Sequence, residues 1–405
     1  MTSSRRNNEI ECLRAIAVLG VAVHHMQGNL FKNSLPFLDA MFKRCDFWFG
    51  VDLFFAISGF VIARGLLPEL TVFNGTLRQQ ARIIVAFWIR RAWRLLPSAW
   101  LWLGFTLLAV LAFNDSGAFG HVRPNLMATL AGMLNVANFR FASTIFHREY
   151  GASFVYWSLS LEEQFYLLLP LLVLCLRRRI DVFMAGLVVA QFSLIRMPPL
   201  MAFRTDALAW GVLLACMTRS ATYIAIEPRY LLRLGPLRLI VPALLLAVLA
   251  LLAAPFTAVW HTRIGLIAVL SATLVWIASY DRGYLFPRNG ASRLLAWIGA
   301  RSYAIYLIHI PTFFFMREIY DRLEIPSPAT WLSAIPLCTF AVGLSVLLAE
   351  LNYRYIEQPL RRRGIRIAEH FLNHQLRDEP QGSSTLMQLT TDMGPDRLSS
   401  PVTQD

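Results

Sequence analysis

Long apolar runs alternate along this chain with short segments rich in arginine. A helix needs about 20 residues to cross the roughly 30 Å hydrocarbon core of a bilayer. The pattern therefore predicts an all-α fold, a polytopic membrane bundle of about ten transmembrane helices. The predicted spans are residues 9–27, 50–68, 96–113, 155–176, 180–197, 203–218, 237–254, 263–280, 302–317 and 329–350.

The composition argues against an ordinary soluble enzyme. Of the 405 residues, 56% are hydrophobic and only 16% are charged, whereas soluble domains are nearer a quarter charged. The net charge of +13 rests on arginine, because Lys32 and Lys43 are the only lysines. No basic domain stands apart that would bind a nucleic acid, so we interpret the excess as a signal of membrane topology.

The positions of the arginines predict how the bundle is oriented. Clusters lie before the first predicted span, between the second and third, and after the fourth, sixth, eighth and tenth. With ten spans, all of these clusters fall on one side of the membrane. Because cationic residues collect in cytoplasmic loops, we expect both termini in the cytoplasm.

Two segments do not fit the pattern of spans. Residues 126–136 are apolar, but a crossing there would place Arg177, Arg178 and Arg179 outside, so we predict an external loop over 114–154 with an amphipathic or re-entrant piece. From residue 369 the composition becomes polar. We therefore expect a transmembrane domain over 1–368 and a disordered cytoplasmic tail over 369–405.

The first span carries a histidine and an arginine that share a helix face. An ionisable side chain inside a span costs about 2.5 kcal/mol or more, so it needs a partner or a function. Arg14 and His25 are eleven residues apart, which at about 100° and 1.5 Å per residue places them roughly 16 Å apart along one face. His24 misses that face, so the spacing nominates His25. A structural imidazole satisfied by a buried partner is the alternative reading.

Two clusters near the second and third spans have both a packing and a functional interpretation. Ser58 and Gly59 most simply mark a close helix contact, because small residues let membrane helices approach. Arg90, Arg91 and Arg94 precede the third span and would serve as cytoplasmic anchors. Three arginines so close together could also clamp the phosphates of a nucleotide-like donor through bidentate contacts.

The fourth span opens with two adjacent carboxylic acids, Glu162 and Glu163. Desolvation should drive at least one of them to pair or to stay protonated, and a structural pair with arginine or histidine is one reading. Adjacent helical residues point about 100° apart. We therefore expect at most one of the two to face a given site.

These residue types favour a particular chemistry. Arginines surround the predicted cytoplasmic face, while a histidine and carboxylates lie deep and toward the other side, which suits an anionic donor from the cytoplasm and an acceptor from outside. An imidazole takes a proton from a hydroxyl or accepts a labile group itself, and a carboxylate can orient it. The sequence shows no clustered metal-ligand spacing, no phosphate-binding G-x-x-x-x-G-K-[ST] loop and no G-x-S-x-G elbow, so we predict no metal.

In this order along the chain, the motifs resemble those of acyltransferase family 3, integral-membrane O-acyltransferases of bacterial surface polysaccharides and related acceptors. The likeness covers nearly all of residues 9–363. Its motifs are Arg14 with His25, Gly50–Phe55 with Ser58–Phe60, Arg90-Arg91-x-x-Arg94 with Pro97, Trp157–Tyr166, Arg204-x-Asp206 before Gly211, Ser302-Tyr303 through His309, and Glu357-x-Pro359.

The resemblance implies an enzyme that takes an acyl group, most often acetyl, from cytoplasmic acyl-CoA. Its acceptor would be a hydroxyl of an extracytoplasmic glycan or lipid-linked saccharide, at the bacterial inner membrane. His25 would be the catalytic base or acyl carrier, Arg14 its functional partner, and Glu163 or Glu162 the active-site carboxylate. The donor would contact Arg14, Arg90, Arg91 and Arg94, and the acceptor Asp52, Trp157, Ser160 and His309.

Two other functions remain as alternatives at this stage. One keeps the enzyme class but replaces the glycan with a secreted small molecule such as a macrolide or lipo-oligosaccharide. The other is a non-enzymatic membrane carrier, although carriers often contain inverted repeats with broken helices and we find no such symmetry in the sequence. Whether the protein forms a homo-oligomer is left open.

Overall fold

A computed structural model describes residues 7–33, 35–71, 76–144, 147–194 and 198–376. These residues form helices joined by loops, with one isolated bridge between Gln27 and Phe31. The α-helices are α1 (Asn8–Asn29), α2 (Pro36–Arg44), α3 (Gly50–Thr71), α4 (Leu77–Ala112), α5 (Val122–Met133), α6 (Ala137–Thr144), α7 (Tyr156–Leu176), α8 (Ile180–Ser193), α9 (Asp206–Met217), α10 (Ala221–Ala225), α11 (Tyr230–Arg233), α12 (Ile240–Ala253), α13 (Arg263–Ser279), α14 (Gly290–Ala300), α15 (Ser302–Arg322), α16 (Trp331–Asn352) and α17 (Gln358–Leu376).

The all-helical class and the multi-pass character are confirmed, and each predicted span contains one of these helices. Five helical stretches are long and apolar enough to cross a bilayer by themselves, and a sixth arises if α9 and the bent segment Ala221–Arg233, at 94°, form one span. The five are Gly50–Leu70, Leu77–Ala112, Tyr156–Phe192, Gly235–Ala253 and Trp331–Asn373. The count of ten and the orientation of the termini stay predictions.

Helix α4 is longer than the sequence pattern indicated. The predicted span began at residue 96, whereas the helix has 36 residues and begins at Leu77, where Thr76 and Gln79 form a capping box. At 1.5 Å per residue it is about 54 Å long, well beyond the hydrocarbon thickness. Arg90, Arg91 and Arg94 therefore project from a rigid helix rather than from a loop.

The segment between α4 and α7 contains two short helices. Residues 126–133 belong to α5, and residues 134–136 form the turn before α6, in which Asn135 has a positive φ of 55°. The 12 residues of α5 reach only about 18 Å, less than the hydrocarbon thickness. By its length alone α5 does not cross the bilayer, and a re-entrant piece in this loop stays a prediction.

Close backbone contacts hold the centre of the bundle together. Helices α3 and α9 interlock through Gly59 and Gly211, because a Cβ on Gly59 would overlap the Leu208 carbonyl and one on Gly211 the Ala56 carbonyl. The packing interpretation of Gly59 is confirmed. Helix α1 packs against α3, α13, α14 and α15, so Arg14 and His25 lie inside the bundle.

A proline lies within the last helix of the described chain. A π-helical turn, Tyr353–Glu357, leads into α17, and Pro359 lies in the first turn of α17 without ending the helix. A proline is tolerated there because first-turn N–H groups have no intrahelical partner to lose. Helix α17 continues to Leu376, past the predicted start of the tail at 369. Residues 377–405 lie outside the described residues.

Candidate active site

A narrow cavity lies among α1, α3, α4, α7 and α15, and we call it the inner cavity. Its volume is about 80 Å³. Ionisable residues that lie up to about 150 positions apart in the sequence line this cavity together. These are Arg14, Arg91, Arg94, Glu162 and Glu163, together with Ser58, Tyr166, Tyr303 and Tyr306.

Both adjacent carboxylic acids border this inner cavity, so the expectation that only one would face a site is wrong. Glu162 is hydrogen-bonded by Tyr166 one turn further along α7 and by Ser58 from α3. Residues 100° apart can both border a cavity that wraps around one side of a helix. Neither of the two lines the cavity that contains His25, so a carboxylate does not orient this imidazole as anticipated.

A second cavity of about 260 Å³, the entrance cavity, adjoins the inner one. Arg91 and Arg94 line both cavities, and Arg90 lines the entrance cavity, where it pairs with Glu69 at 3.5 Å. Arg361 of α17 also lies on this wall. The sequence pattern offered Arg361 only as a cytoplasmic anchor, because nothing in it indicates that α17 packs along α4.

The third cavity, the outer cavity, has a volume of about 750 Å³. It shares Val51 and Tyr306 with the inner cavity, so the three cavities lie next to one another in a row. His25 lines the outer cavity. Arg14 and His25 thus face the bundle interior in two adjoining cavities rather than one.

The end of α1 departs from helical geometry immediately after its two histidines. Gln27 has ψ 129° and Gly28 has φ 80°, a left-handed value that glycine adopts without a steric penalty. The last regular turn of α1 therefore ends beside the outer cavity. Both His24 and His25 line its wall.

His25 is oriented by a second histidine, His309 of α15. Nδ1 of His25 lies 3.0 Å from Nε2 of His309, and Nδ1 of His309 lies 3.2 Å from the Ile305 carbonyl oxygen. A carbonyl only accepts, so in the neutral His309 ring Nδ1–H donates and Nε2 accepts. His25 must then donate from Nδ1, which leaves the lone pair on its Nε2.

Three of the residues assigned to the acceptor lie behind the cavity wall instead of on it. His309 is buried behind His25 at 1% exposure. Asp52 is fully buried and forms an ion pair with Arg204 at 3.2 Å, which compensates a charge inside the bundle. Ser160 accepts a hydrogen bond from the Ala137 N–H at 3.2 Å and so holds the start of α6.

The fourth, Trp157, does line the outer cavity, together with Trp48. The Arg204 guanidinium lies 4.9 Å from the Trp48 ring centroid and 5.3 Å from that of Trp157. Trp48 Nε1–H donates to the Ala253 carbonyl at 2.7 Å, so its ring is fixed in position. The sequence analysis missed Trp48, since it lies in a loop without helical periodicity.

His24 is a further residue that helical spacing set aside. Its Nδ1 lies 2.6 Å from Oδ1 of Asp46, in the loop between α2 and α3, and both side chains line the outer cavity. Both histidines reach the outer cavity because it is wide enough to include residues about 100° apart on α1.

The site thus lies in a helix bundle of multi-pass membrane character, with arginines at one end of a row of cavities and an oriented imidazole at the other. The chain belongs to the acyltransferase domain family, which matches residues 7–350. The resemblance to acyltransferase family 3 is therefore confirmed.

Several curated proteins are similar to this chain. It is 26% identical over 386 residues to peptidoglycan O-acetyltransferase OatA of Listeria monocytogenes, covering 88% of this chain and 56% of that protein. It is 27% identical over 393 residues to O-acetyltransferase OatA of Staphylococcus aureus, covering 90% and 59%. A putative peptidoglycan O-acetyltransferase, YrhL of Bacillus subtilis, is 28% identical over 390 residues, covering 88% and 55%. The chain spans somewhat over half the length of these relatives, and no solved structure matches it.

Proposed function

We propose that this protein moves an acyl group, which we expect to be acetyl, from cytoplasmic acyl-CoA to a hydroxyl of an extracytoplasmic saccharide. One observation carries the proposal: the three adjoining cavities run from an arginine-rich entrance to a wide chamber that contains His25. The proposal includes ten membrane spans, both termini in the cytoplasm and a location in the bacterial inner membrane.

The entrance cavity fits the phosphate end of acyl-CoA. Guanidinium groups bind phosphates through paired hydrogen bonds, and Arg90, Arg91, Arg94 and Arg361 line this wall. The inner cavity, at about 80 Å³, suits only a thin chain such as the pantetheine arm. In this arrangement Arg14 lies along the path of the arm, and the thioester reaches the boundary at Val51 and Tyr306.

His25 stands where the thioester would meet the acceptor. Its Nε2 carries the lone pair, because Nδ1 is engaged by His309. That atom can remove the proton from the acceptor hydroxyl while the oxygen attacks the thioester carbon, or it can accept the acyl group first and pass it on. In both routes the carbon–sulfur bond breaks and the products are one ester and free coenzyme A.

The outer cavity suits a saccharide. Binding sites of this kind combine aromatic walls with a few polar groups that fix orientation, and Trp48, Trp157 and Trp260 lie beside Gln27 and Asn29 here. Relatives named as peptidoglycan O-acetyltransferases support a cell-surface glycan as the acceptor. A secreted small molecule as the acceptor would contact the same groups of the outer cavity. Mass spectrometry of the acylated product distinguishes it from a glycan.

The decisive test compares the cell's glycans with and without this protein by mass spectrometry. We expect base-labile ester groups that disappear in its absence and in a strain carrying His25→Ala, with His147→Ala, an exposed histidine outside the three cavities, as the matched control. The mass difference identifies both the acyl group and the acceptor. Unchanged glycan esters in a strain that contains normal amounts of His25→Ala protein would refute the assignment.

A further inference from the structure

The outer cavity contains a second imidazole with its own partner. The rings of His24 and His25 have centroids 4.9 Å apart, and their orienting groups differ in charge. His25 contacts neutral His309, whereas Nδ1 of His24 lies 2.6 Å from a carboxylate oxygen of Asp46. The side chain of His24 is 31% exposed within this wall.

Asp46 is held rigidly by the backbone around it. Its N–H donates to the Ala250 carbonyl at 2.9 Å, and its Oδ1 accepts the Phe47 N–H at 2.6 Å. The carboxylate therefore has a fixed position independent of His24. In the neutral His24 ring, Nδ1–H donates to this carboxylate and the lone pair lies on Nε2.

The two histidines are suited to different steps. A carboxylate behind an imidazole stabilises the imidazolium that forms when the ring takes up a proton, and Asp46 provides this for His24. His309 offers His25 no such negative charge, because its second nitrogen donates to the Ile305 carbonyl. The fixed carboxylate therefore suits His24 to the step in which the acceptor hydroxyl loses its proton, and His25 is left for contact with the acyl group.

We propose that His24 is the general base for the acceptor, with Asp46 as its positioning residue; this inference rests on the function proposed above. Nε2 of His24 takes the hydroxyl proton as the acceptor oxygen bonds to the acyl carbon. The bond from that carbon to its carrier, which is the coenzyme A sulfur or Nε2 of His25, breaks. The electron pair of this bond stays with the carrier atom. His24 then gives its proton to solvent in the outer cavity, and the coenzyme A thiolate takes one up, so that the sum is ester plus thiol.

The test uses membrane vesicles from producing cells, which contain the full chain and its native acceptor, supplied with acetyl-CoA labelled in the acetyl group. The readout is base-labile label in the glycan fraction. We expect His24→Ala to lower kcat on the order of 100-fold, with KM for acetyl-CoA unchanged, and added imidazole to restore part of the rate. Asp46→Asn should lower kcat less and leave the same KM unchanged.

The chain offers a matched control in His121, whose Nδ1 also lies 2.6 Å from a carboxylate, that of Glu149. Among the described residues, neither member of this pair lines the three cavities. His121→Ala should transfer normally. Normal transfer by His24→Ala, or a loss that imidazole does not restore, overturns the inference. If His25→Ala transfers like the unaltered protein, the proposed function itself fails, and the two failures are distinct.

Discussion

His309 lies directly behind the imidazole on which the proposed reaction depends. Its single hydrogen bond to His25, at 3.0 Å, selects which nitrogen of His25 carries the lone pair. We expect His309→Ala to lower transfer on the order of 100-fold, since His309 keeps the lone pair of His25 on Nε2, the atom that would contact the acyl group. His309→Gln, which keeps an acceptor atom, should recover part of the loss.

The same vesicle assay measures both variants, and acyl-CoA binding should be unchanged because His309 lines neither the inner cavity nor the entrance cavity. Equal rates for His309→Ala and the unaltered protein would show that His25 needs no orienting partner. A loss of acyl-CoA binding would instead indicate a wider structural change.

Sequence spacing predicts residues that share one helix but not those brought together by folding. Arg14 and His25 follow from the 3.6-residue period of α1. His309 is 284 positions from His25, and its neighbourhood is created by the packing of α15 on α1. The family resemblance assigned Asp52 to the acceptor, yet its carboxylate forms an ion pair with Arg204 inside the bundle. The period of a helix does not reveal such a partner.

At the scale of elements, the contact between α3 and α9 tolerates no side chain at Gly59. A Cβ there would meet the backbone of Leu208, which cannot rotate away as a side chain can. We expect Gly59→Val to destabilise the protein by about 3 kcal/mol, measured as a lower melting temperature in detergent. Gly65→Ala, on the same helix with nothing within 4 Å of its Cβ position, should melt close to the unaltered protein.

Glu227 joins the loop after α10 to the loop before α14. It accepts hydrogen bonds from Arg229 at 2.7 Å and from Tyr284 at 2.8 Å. Burial alone would raise the pKa of Glu227, but these hydrogen bonds outweigh it, so its pKa lies below the ordinary value. Such a carboxyl stabilises the fold above its unfolded pKa, about 4.3, and that contribution is lost as pH falls through the folded value.

We therefore expect Glu227→Gln to lower the melting temperature by about 1–2 °C at pH 7, and the difference to vanish at a pH below the folded pKa. Melting in detergent across this pH range checks the prediction. Glu324→Gln, at an exposed loop position, provides the control. A difference that grows with acidity would contradict the sign.

The sequence predicts where a helix exists better than it predicts how long that helix is. The apolar pattern located a helix in every predicted span, but it began the third at residue 96 because Arg90, Arg91 and Arg94 looked like loop residues. In the structure they belong to α4, since arginine is a good helix former and the capping box lies at Thr76.

At the scale of the whole molecule, the proposed route takes the thioester to the boundary between the inner and outer cavities, and transfer depends on passage there. Val51 and Tyr306 are the side chains that line both. We expect Val51→Phe to block passage of the thioester, so that vesicles bind acyl-CoA normally but label no glycan. Val51→Ala should transfer at a rate near that of the unaltered protein. Full transfer by Val51→Phe would show that the acyl group takes another route.

The small volume of the inner cavity has a consequence for the cell's energy supply. A passage open to both compartments would let protons and sodium flow down their gradients. The inner cavity, at about 80 Å³, holds only a few water molecules. The guanidinium groups that line it repel cations. Cells that overproduce the protein should therefore keep their membrane potential, and synthesis of ATP should continue while surface sugars are being esterified.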